Sequence, residues 1–404
     1  MSRINDLIKE LCPNGVSKYE IKDICKVTRG RVISKMELAE NAGDYPVYSS
    51  QTLNNGVFGK INTYDFEGEY VQWTTDGANA GSIFYRNGKF SVTNVCGLLK
   101  IKDEYLGKIK TNYLAYALTM ESKKYVNYAT SNPKLMSNVM ERITVLIPPL
   151  EVQTEIVRIL DKFGELEAEI EAELEARRSQ YEFWREKLCG GTLDDLRQKE
   201  INREISLKKL SEVGTIVRGK RFVKADAVEI GTPCMHYGEL YTYYGIWANK
   251  TKSFVRDDLA PKLRYASKND VIIVGAGENN IDIGIGVAWL GDENIAIHDA
   301  CYIFTSELNP KYVSYYLRTN LYHNQIKKYV SEGKICAISG KGLGESIIPV
   351  PSLEEQERIV NILDKFDKLV NDISVGLPAE IEARRKQYEY YRNKLLSFKE
   401  VSCE

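Results

Sequence analysis

The sequence lacks the residues from which common metal sites are built. It contains only three histidines, which lie far apart at positions 236, 298 and 323. Its eight cysteines are scattered and include no Cys-x-x-Cys pair, a pattern that argues against both a zinc site and a disulfide framework. We therefore expect reduced thiols, with no metal and no cofactor.

Long apolar runs and targeting segments are also missing. No stretch approaches the roughly 20 apolar residues of a membrane span, and residues 1–6 show no apolar core of a signal peptide. We expect a cytoplasmic protein that does not enter a membrane. The chain of 404 residues is 43% hydrophobic and 27% charged, which is typical of a globular protein with two or three domains.

Sequence motifs of nucleotide-binding, amino-methyltransferase and nuclease sites are absent as well. Residues 339–342 lack the upstream glycine and the hydroxyl of a phosphate-binding loop, and residues 275–277 do not complete Gly-x-Gly-x-x-Gly. Residues 132–134 are not the Asn-Pro-Pro-aromatic motif of an amino-methyltransferase. The chain also contains no Pro-Asp dipeptide with which a Pro-Asp…Glu-x-Lys nuclease site begins. We expect a protein without catalytic residues.

The chain does contain a long internal repeat. Residues 148–163 and 351–366 both read Pro-x-Leu-x-x-Gln followed by Ile-Val-x-Ile-Leu-Asp-Lys-Phe. Residues 175–182 and 382–389 both read Glu-Ala-Arg-Arg-x-Gln-Tyr-Glu. A duplicated chain can present two similar surfaces related by an approximate two-fold axis, which suits a target made of two similar parts.

The repeat extends into the stretches between these motifs. Residues 112–118 align with 311–317, and an Arg-Gly pair opens each copy, at Arg29 and at Arg218. The pattern predicts an α+β fold with two pseudo-repeated mixed α/β domains and two long helices. The predicted order is an N-terminal helical segment (1–16), globular domain 1 (17–147), long helix 1 (148–204), globular domain 2 (205–349) and long helix 2 (350–404).

Alternating segments within the globular stretches predict strands and turns. Asn87-Gly88 lies between two such segments, 82–86 and 89–93, and is typical of a hairpin turn. In the second copy, Gly291-Asp292 separates residues 287–290 from 294–297 in the same way. One helix is expected in each copy, near 111–124 and near 310–328.

Both long helices carry an apolar seam with alternating spacings of three and four residues. The seams are too narrow to bury either helix in a globule, so we expect the two helices to pair with each other. The second helix holds four extra residues near 376–379, and Pro378 should kink or interrupt it. The predicted seam residues are Ile156, Leu160, Phe163, Ile170, Leu174, Trp184, Ile359, Leu363, Phe366, Ile373, Tyr388 and Leu395.

Several polar loops combine cations for phosphates with amides for base edges. Taken singly, each loop is better explained as an ordinary solvated loop than as a DNA contact. The residues predicted to hold phosphates or guanines are Arg29, Arg31, Lys134, Arg218, Lys220, Arg221 and Lys334. Those predicted to read base edges are Gln51, Asn54, Asn55, Asn79, His236, Asn279 and Asn280.

The doubled helix motif and the alternating plan closely resemble the specificity subunit of type I restriction–modification systems, over essentially the whole chain. The resemblance implies that each globular unit is a target-recognition domain reading one half of a split, asymmetric DNA site. It implies that the helices form an antiparallel coiled coil, which sets the gap between half-sites and docks two methyltransferase subunits. Motor-nuclease restriction subunits would then join, and the specificity subunit itself would carry no catalytic residues.

Two other interpretations remain open on the sequence alone. A non-catalytic coiled-coil scaffold would organise other proteins without binding DNA. A free-standing nuclease would cleave DNA with a metal ion in the absence of partners. A measurement of duplex DNA binding distinguishes DNA readout from the scaffold. For DNA readout, the logarithm of the binding constant should fall linearly with the logarithm of the salt concentration.

Overall fold

The computed structural model describes residues 2–129 and 131–401. Contacts within the chain divide it into two compact units, the first formed by Met1–Ile170 with Ile381–Glu404 and the second by Glu171–Glu380. One uninterrupted helix, Leu150–Arg185, contributes residues to both units. The seven described cysteines are free and buried, and Cys403 lies outside the described residues.

The first unit contains two four-stranded sheets. One is antiparallel, with strands in the order Cys25–Arg29, Cys96–Ile101, Tyr70–Thr74 and Ile83–Arg86. The other has the order Val57–Ile61, Tyr45–Tyr48, Lys89–Val92 and Phe66–Glu67, with its middle pair parallel. A separate antiparallel pair joins Ser17–Glu20 to Thr144–Ile147.

Helices pack against these strands to complete the core of the first unit. The buried core includes Trp73, Leu99, Tyr113 and Leu118, none of which is more than 1% exposed. The α-helices are Ser2–Leu11, Ile21–Ile24, Lys35–Glu40, Thr111–Glu121 and Ser137–Met140, and the 3-10 helices are Leu53–Gly56, Asp103–Tyr105 and Ser122–Tyr125. The helix Ser2–Leu11 lies within the N-terminal segment predicted to be helical.

The second unit repeats this arrangement with one more strand in each main sheet. Its first sheet has the order Gly214–Arg218, Cys301–Ser306, Val271–Val274, Gly286–Trp289 and Trp247–Ala248. Its second has the order Ala227–Val228, Ser253–Val255, Thr232–Met235, Ile295–Ile297 and Tyr265–Ala266. Two short pairs join Ser206–Lys209 to Ile347–Val350 and Ala276–Gly277 to Cys336–Ala337.

The helices of the second unit lie between and after these strands. The predicted helix near 310–328 is two α-helices, because the Thr319 side chain caps a new helix by accepting from the Tyr322 N–H. The α-helices are Leu193–Ile201, Leu210–Val213, Glu239–Thr242, Pro310–Tyr316, Asn320–Ile326, Gly340–Gly344 and Leu353–Asn371. The 3-10 helices are Lys224–Asp226, Asp257–Lys262 and Lys327–Tyr329, and a π-helical turn covers Glu186–Gly190.

The two predicted hairpins are wrong, although their strands exist. Ile83–Arg86 pairs with Tyr70–Thr74, whereas Lys89–Val92 pairs with strands of the other sheet. In the second unit, Gly286–Trp289 and Ile295–Ile297 also belong to different sheets. Each turn therefore carries the chain from one sheet to the other. Distant strands flank these segments, so the local turn signal does not decide their pairing.

Each repeated helix motif is tied to its own unit by the same hydrogen bonds. The Gln153 side chain accepts from the Lys110 N–H and donates to Pro148, and Gln356 makes the same two bonds with Asn309 and Pro351. The Tyr116 hydroxyl donates to Asp161 over 2.6 Å. The equivalent bond of Tyr315 to Asp364 is 2.7 Å long.

In the first unit, the long helix pairs with the last helix, Leu377–Leu396. The Phe163 ring stacks on Tyr391 at 5.5 Å, and Glu167 forms an ion pair of 2.6 Å with Arg385. Residue numbers rise along one helix as they fall along the other, so the pair is antiparallel. The seam residues Ile156, Leu160 and Leu395 are buried in this unit, while Phe163, Ile170 and Tyr388 are half-buried.

In the second unit, the long helix pairs with Leu353–Asn371. The Tyr181 hydroxyl donates to Asp367 over 3.2 Å, and Leu188 lines a cavity with Ile359, so this pair is also antiparallel. Ile359 and Leu363 are buried, while Leu174, Trp184 and Phe366 are half-buried against the same core.

The second long helix is interrupted, as Pro378 predicted. The helix that begins at Leu353 ends at Asn371, and the next begins at Leu377. Between them, the Asp372 carboxylate accepts from the Ser374 and Val375 N–H groups. Ile373 lies in this turn and is 80% exposed, so its prediction as a seam residue is wrong. The interruption covers residues 372–376, so Gly376 lies in it while Leu377, Pro378 and Ala379 begin the last helix.

Candidate nucleic-acid interface

The Arg-Gly pair occupies the same position in both units. Arg29 and Arg218 end equivalent strands, and the glycine after each lies against backbone. A Cβ atom on Gly30 would lie 2.2 Å from the Val92 carbonyl oxygen, and one on Gly219 would lie 2.2 Å from that of His298. Only glycine permits this approach without displacement of the backbone.

The two arginines also make equivalent contacts. An Arg29 terminal nitrogen donates to the Asn94 carbonyl over 2.6 Å, and the Arg218 Nε donates to the Asp299 carbonyl over 2.6 Å. Each carbonyl lies two residues before the neighbouring strand, which begins at Cys96 or at Cys301. Both side chains therefore hold a loop in place, and Arg29 remains one-third exposed.

The predicted residues of the first unit meet at one end of its sheets. Asp76 lies 4.0 Å from Arg29 and 3.7 Å from Lys134, so one carboxylate joins two of the predicted phosphate-binding cations. The Asn79 side chain donates to the Ser50 carbonyl over 3.0 Å. These contacts connect the predicted loops through specific side chains.

Three of the residues predicted to read base edges, Gln51, Asn54 and Asn55, lie in one loop of the first unit. The Gln51 amide donates to the Val57 carbonyl across the base of the loop. Asn54 and Asn55 are exposed and adopt left-handed backbone conformations, with φ of 50° and 51°. Asparagine tolerates this conformation better than most residues with a side chain.

A buried arginine that the sequence did not single out organises this loop. The Arg86 guanidinium bonds to the carbonyl and the side chain of Asn55, donates to Gln72 and stacks on the Tyr48 ring at 3.6 Å. Burial lowers the pKa of Arg86 to about 10. Its position in an alternating strand gave no sign that its charge would be buried.

Arg31 is held by acidic groups. It pairs with Glu37 at 2.6 Å and with Asp65 at 3.1 Å, and the hydrogen bond to Glu37 is the main cause of its raised pKa. These carboxylates offset its charge. Its role as a phosphate contact stays a prediction.

In the second unit, the residues after Arg218 reach a cluster of aromatic rings. Lys220 and Arg221 are exposed, and Phe222 packs edge-on against the His298 ring at 4.9 Å. The His236 ring lies 4.5 Å from that of His298. Burial is the main cause that lowers the pKa of both histidines, which favours their neutral forms. The sequence singled out His236 alone, because His298 lies far from it along the chain.

The remaining predicted residues of the second unit lie in two loops joined by Glu332. The Asn279 side-chain oxygen accepts from the Ile281 and Asp282 N–H groups, and the Asn280 amide donates to Glu332 over 3.3 Å. Lys334 is exposed in the loop that contains Glu332. Backbone bonds from Gly275 and Ala276 to the Ala300 carbonyl place these loops beside the histidine cluster.

No group of three or more His, Cys, Asp or Glu side chains within residues 2–129 and 131–401 is arranged to hold a metal ion. Over the same described ranges, no helix is both long and apolar enough to span a bilayer.

Comparison with known proteins identifies the family. Residues 13–176 and 202–383 both match the model of the type I restriction modification DNA specificity domain. A putative type I specificity subunit of Mycoplasma pneumoniae is 34% identical over 95% of this chain and 98% of its own length. Another from the same organism is 34% identical over 84% of this chain and 97% of its own.

Solved structures show the same fold at low sequence identity. The S subunit of a type I restriction–modification system from M. genitalium matches with a TM-score of 0.54 at 16% identity, over 94% of this chain and 96% of its own. A chain from a study of complex assembly and conformational transition of the type I system matches with a TM-score of 0.59 at 16% identity, over 95% and 98%. The two matched repeats and the full-length relatives together show that this chain belongs to the type I restriction–modification specificity subunits, the non-catalytic subunits of these systems.

Proposed function

We propose that the chain reads a bipartite, asymmetric duplex DNA site, with one half-site for each globular unit. The observation that carries this proposal is the repeated Arg-Gly strand end, which anchors an equivalent loop in both units. The neighbouring chemistry differs. The first unit has an arginine-held loop with two left-handed asparagines, and the second has two histidines whose ring centroids lie 4.5 Å apart. Similar scaffolds with different loops suit two different half-sites.

The proposed contacts follow from side-chain chemistry. Lysine and arginine bind phosphate oxygens or the acceptor edge of guanine, and asparagine and glutamine pair with adenine. In the first unit, Lys134 and Asn54 are exposed and suited to these two tasks. Lys334 and Asn280 are their counterparts in the second unit. Arg29 and Arg218 combine loop anchoring with a phosphate contact.

The paired helices are proposed to set the distance between the half-sites and to dock two methyltransferase subunits. Support comes from the helix Leu150–Arg185, which supplies residues to both units without a break. Motor-nuclease restriction subunits would join this assembly. Because its target is the DNA of the cell, the complex would act in the cytoplasm.

The first experiment measures duplex binding by the chain assembled with its methyltransferase subunits. Mapping methylated positions in DNA from cells that carry the complex gives the target sequence. The logarithm of the binding constant for that duplex should then fall linearly with the logarithm of salt concentration. Absence of any salt slope, with the partners present, would support a protein-organising scaffold.

A matched pair of variants tests the assignment of one half-site to each unit. Asn54→Ala should relax discrimination only in the half-site read by the first unit, and Asn280→Ala only in the other. Each lost base contact should reduce discrimination by roughly 1–3 kcal/mol. Competition with duplexes carrying single base changes in either half measures this, and relaxation of both halves by one variant would contradict the assignment.

A further inference from the structure

A cationic cavity lies beside the predicted reading loops of the second unit. It has a volume of about 460 Å³, and Arg185, Arg318 and Lys327 contribute positive charge to its lining. His323 and Asn324 line it as well, and Asn280 and Glu332 of the predicted reading loops contribute to its lining. None of the cavity's cations was predicted from the sequence to bind DNA.

The two guanidiniums of this cavity are incompletely partnered. Arg318 donates through one terminal nitrogen to the Gly245 carbonyl at 2.7 Å and to the Gly286 carbonyl at 3.4 Å. The Arg185 guanidinium lies over the Tyr181 ring at 5.4 Å. Among the described residues, the Nε of each arginine is buried without a hydrogen-bond partner. Buried cations without a bonded anion are unfavourable.

The groups around Arg318 that favour its charged form do not offset its burial. Burial is the main cause that lowers the Arg318 pKa, and repulsion from Arg185 adds to it, while Tyr181 and Asp367 act in the opposite direction. Burial also lowers the pKa of His323, with a contribution from both arginines. A hydrogen bond between the His323 ring and the Leu317 backbone opposes this shift. Glu332 already accepts a hydrogen bond from Asn280.

We propose that this cavity binds a phosphate group, and that the DNA backbone supplies it. A phosphate offers several oxygens to the forked donors of two arginines and to the Lys327 ammonium. Asn280 and Glu332 belong to the loops proposed to read bases, so the backbone of a bound half-site is the favoured source over free phosphate. This inference rests on the proposed function and adds a backbone contact that only the second unit makes.

The first unit provides a matched control. Arg392 is the repeat equivalent of Arg185, lies over the Tyr388 ring at 5.5 Å, and also has a buried Nε without a partner among the described residues. However, Thr119 stands at the position equivalent to Arg318. The first unit therefore has one of the two arginines, and Arg392→Gln controls for loss of the stacked side chain alone.

The test uses the chain assembled with its methyltransferase subunits and the mapped duplex. Arg185→Gln should weaken binding to specific and random duplexes by a similar factor, and should make the salt slope shallower by about one. Arg392→Gln should leave the slope unchanged. A second arm compares the melting temperature of the wild type and of Arg185→Gln in inorganic phosphate and in chloride at equal ionic strength.

The outcomes distinguish the DNA backbone from free phosphate as the ligand. They also distinguish failure of the cavity proposal from failure of the proposed function. An unchanged salt slope in Arg185→Gln, with loss of stabilisation by inorganic phosphate, would overturn the DNA source and leave a site for free phosphate. No difference in either arm would overturn the cavity proposal while wild-type duplex binding still stood. If the wild type bound no duplex, the proposed function would fail, and with it the DNA source.

Discussion

At the scale of single residues, arginines that hold loops are central to the candidate interface. Arg29 and Arg218 fix equivalent loops through backbone carbonyls, and Arg86 fixes a third loop from beneath. A rigid loop presents its exposed side chains in one arrangement, which reduces the entropy lost when DNA binds. Under the proposed function, all three arginines would contribute to readout by ordering loops, and the buried Arg86 would do so without contacting a base.

Removal of Arg86 should destabilise the first unit. Arg86→Leu leaves Gln72 and the Asn55 carbonyl without their donor in a site where Arg86 is 2% exposed. We expect a loss of about 2–4 kcal/mol in the free energy of unfolding, measured by urea denaturation. As a control, Arg197→Met replaces an arginine whose side chain is 69% exposed, and should change stability little. Equal effects of the two variants would contradict the anchoring role.

Stability should fall below pH 6.5 because of the histidine pair. The folded-state pKa values of His236 and His298 lie below the ordinary value of 6.5, so the unfolded chain binds more protons as the pH falls. Glu239 and Asp299 oppose this shift at His236, while Arg221 adds to it at His298. The stability contribution is complete above pH 6.5 and is lost as the pH falls towards the folded-state pKa values.

The measurement compares the melting temperature at pH 7.5 and pH 5.5 in the wild type and in the double variant His236→Asn/His298→Asn. The wild type should lose more stability on acidification than the double variant. An equal loss in both would exclude the pair as a cause.

Sequence reasoning identified only some of these residues. The Arg-Gly pairs were found because both copies keep them. The buried position of Arg86 and the contact between His236 and His298 depend on strands that meet only in the folded chain. The hydrogen bonds that hold Asn55 likewise come from Arg86, which lies 31 residues away in the sequence.

At the scale of elements, the repeated motif positions each long helix on its unit. Gln153 and Gln356 occupy equivalent places and bond to equivalent backbone groups, which explains why the motif recurs with glutamine. The motif therefore serves to attach a helix to a sheet domain. Its apolar positions serve both the domain core and the pairing of helices.

Two substitutions of glycine by alanine should have opposite effects. Gly30→Ala places a methyl group 2.2 Å from the Val92 carbonyl oxygen and should lower the melting temperature. Gly164→Ala meets nothing within 4 Å inside the long helix, and should raise stability by about 0.5–1 kcal/mol. Gly219→Ala should resemble Gly30→Ala. Thermal unfolding of the three variants gives the comparison, and a stabilised Gly30→Ala would contradict the close approach.

Elements were predictable where the signal was local. The helix interruption was predicted from Pro378. The seam was predicted from the spacing of apolar residues, except at Ile373, which lies in the interrupting turn. The hairpins failed because Asn87-Gly88 and Gly291-Asp292 are turns between sheets. Pairing of these strands is set by distant partners such as Tyr70–Thr74, which no local pattern specifies.

At the scale of the whole molecule, the duplication produces two units with equivalent sheet topology and different loops. The equivalent strand orders and helix anchors are shared, while the second unit has extra edge strands. If each unit reads one half-site, as proposed, a change in one unit would alter one half-site without altering the other. The family assignment and the general plan were predicted from the doubled motif, whereas the sheet topology was not.

The proposed spacing role predicts the result of a deletion. Removal of residues 171–174 shortens the long helix by roughly 6 Å. The spacer between the half-sites should contract, and both half-sites should keep their sequences. Methylation mapping in cells carrying the deletion measures this, and an unchanged spacer would refute the spacing role. Removing residues 194–197 from the separate helix Leu193–Ile201 is a control that should leave the spacer unchanged.

The division of the chain into two units has a consequence for the order of folding during synthesis. The second unit, Glu171–Glu380, is continuous in sequence, whereas the first draws on residues from both sides of it. When synthesis has passed well beyond residue 380, every residue of the second unit has left the ribosome. The first unit is complete only when the last helix, which carries Tyr391 to the Phe163 ring, has followed. The unit that is synthesised first is therefore the one whose assembly finishes last.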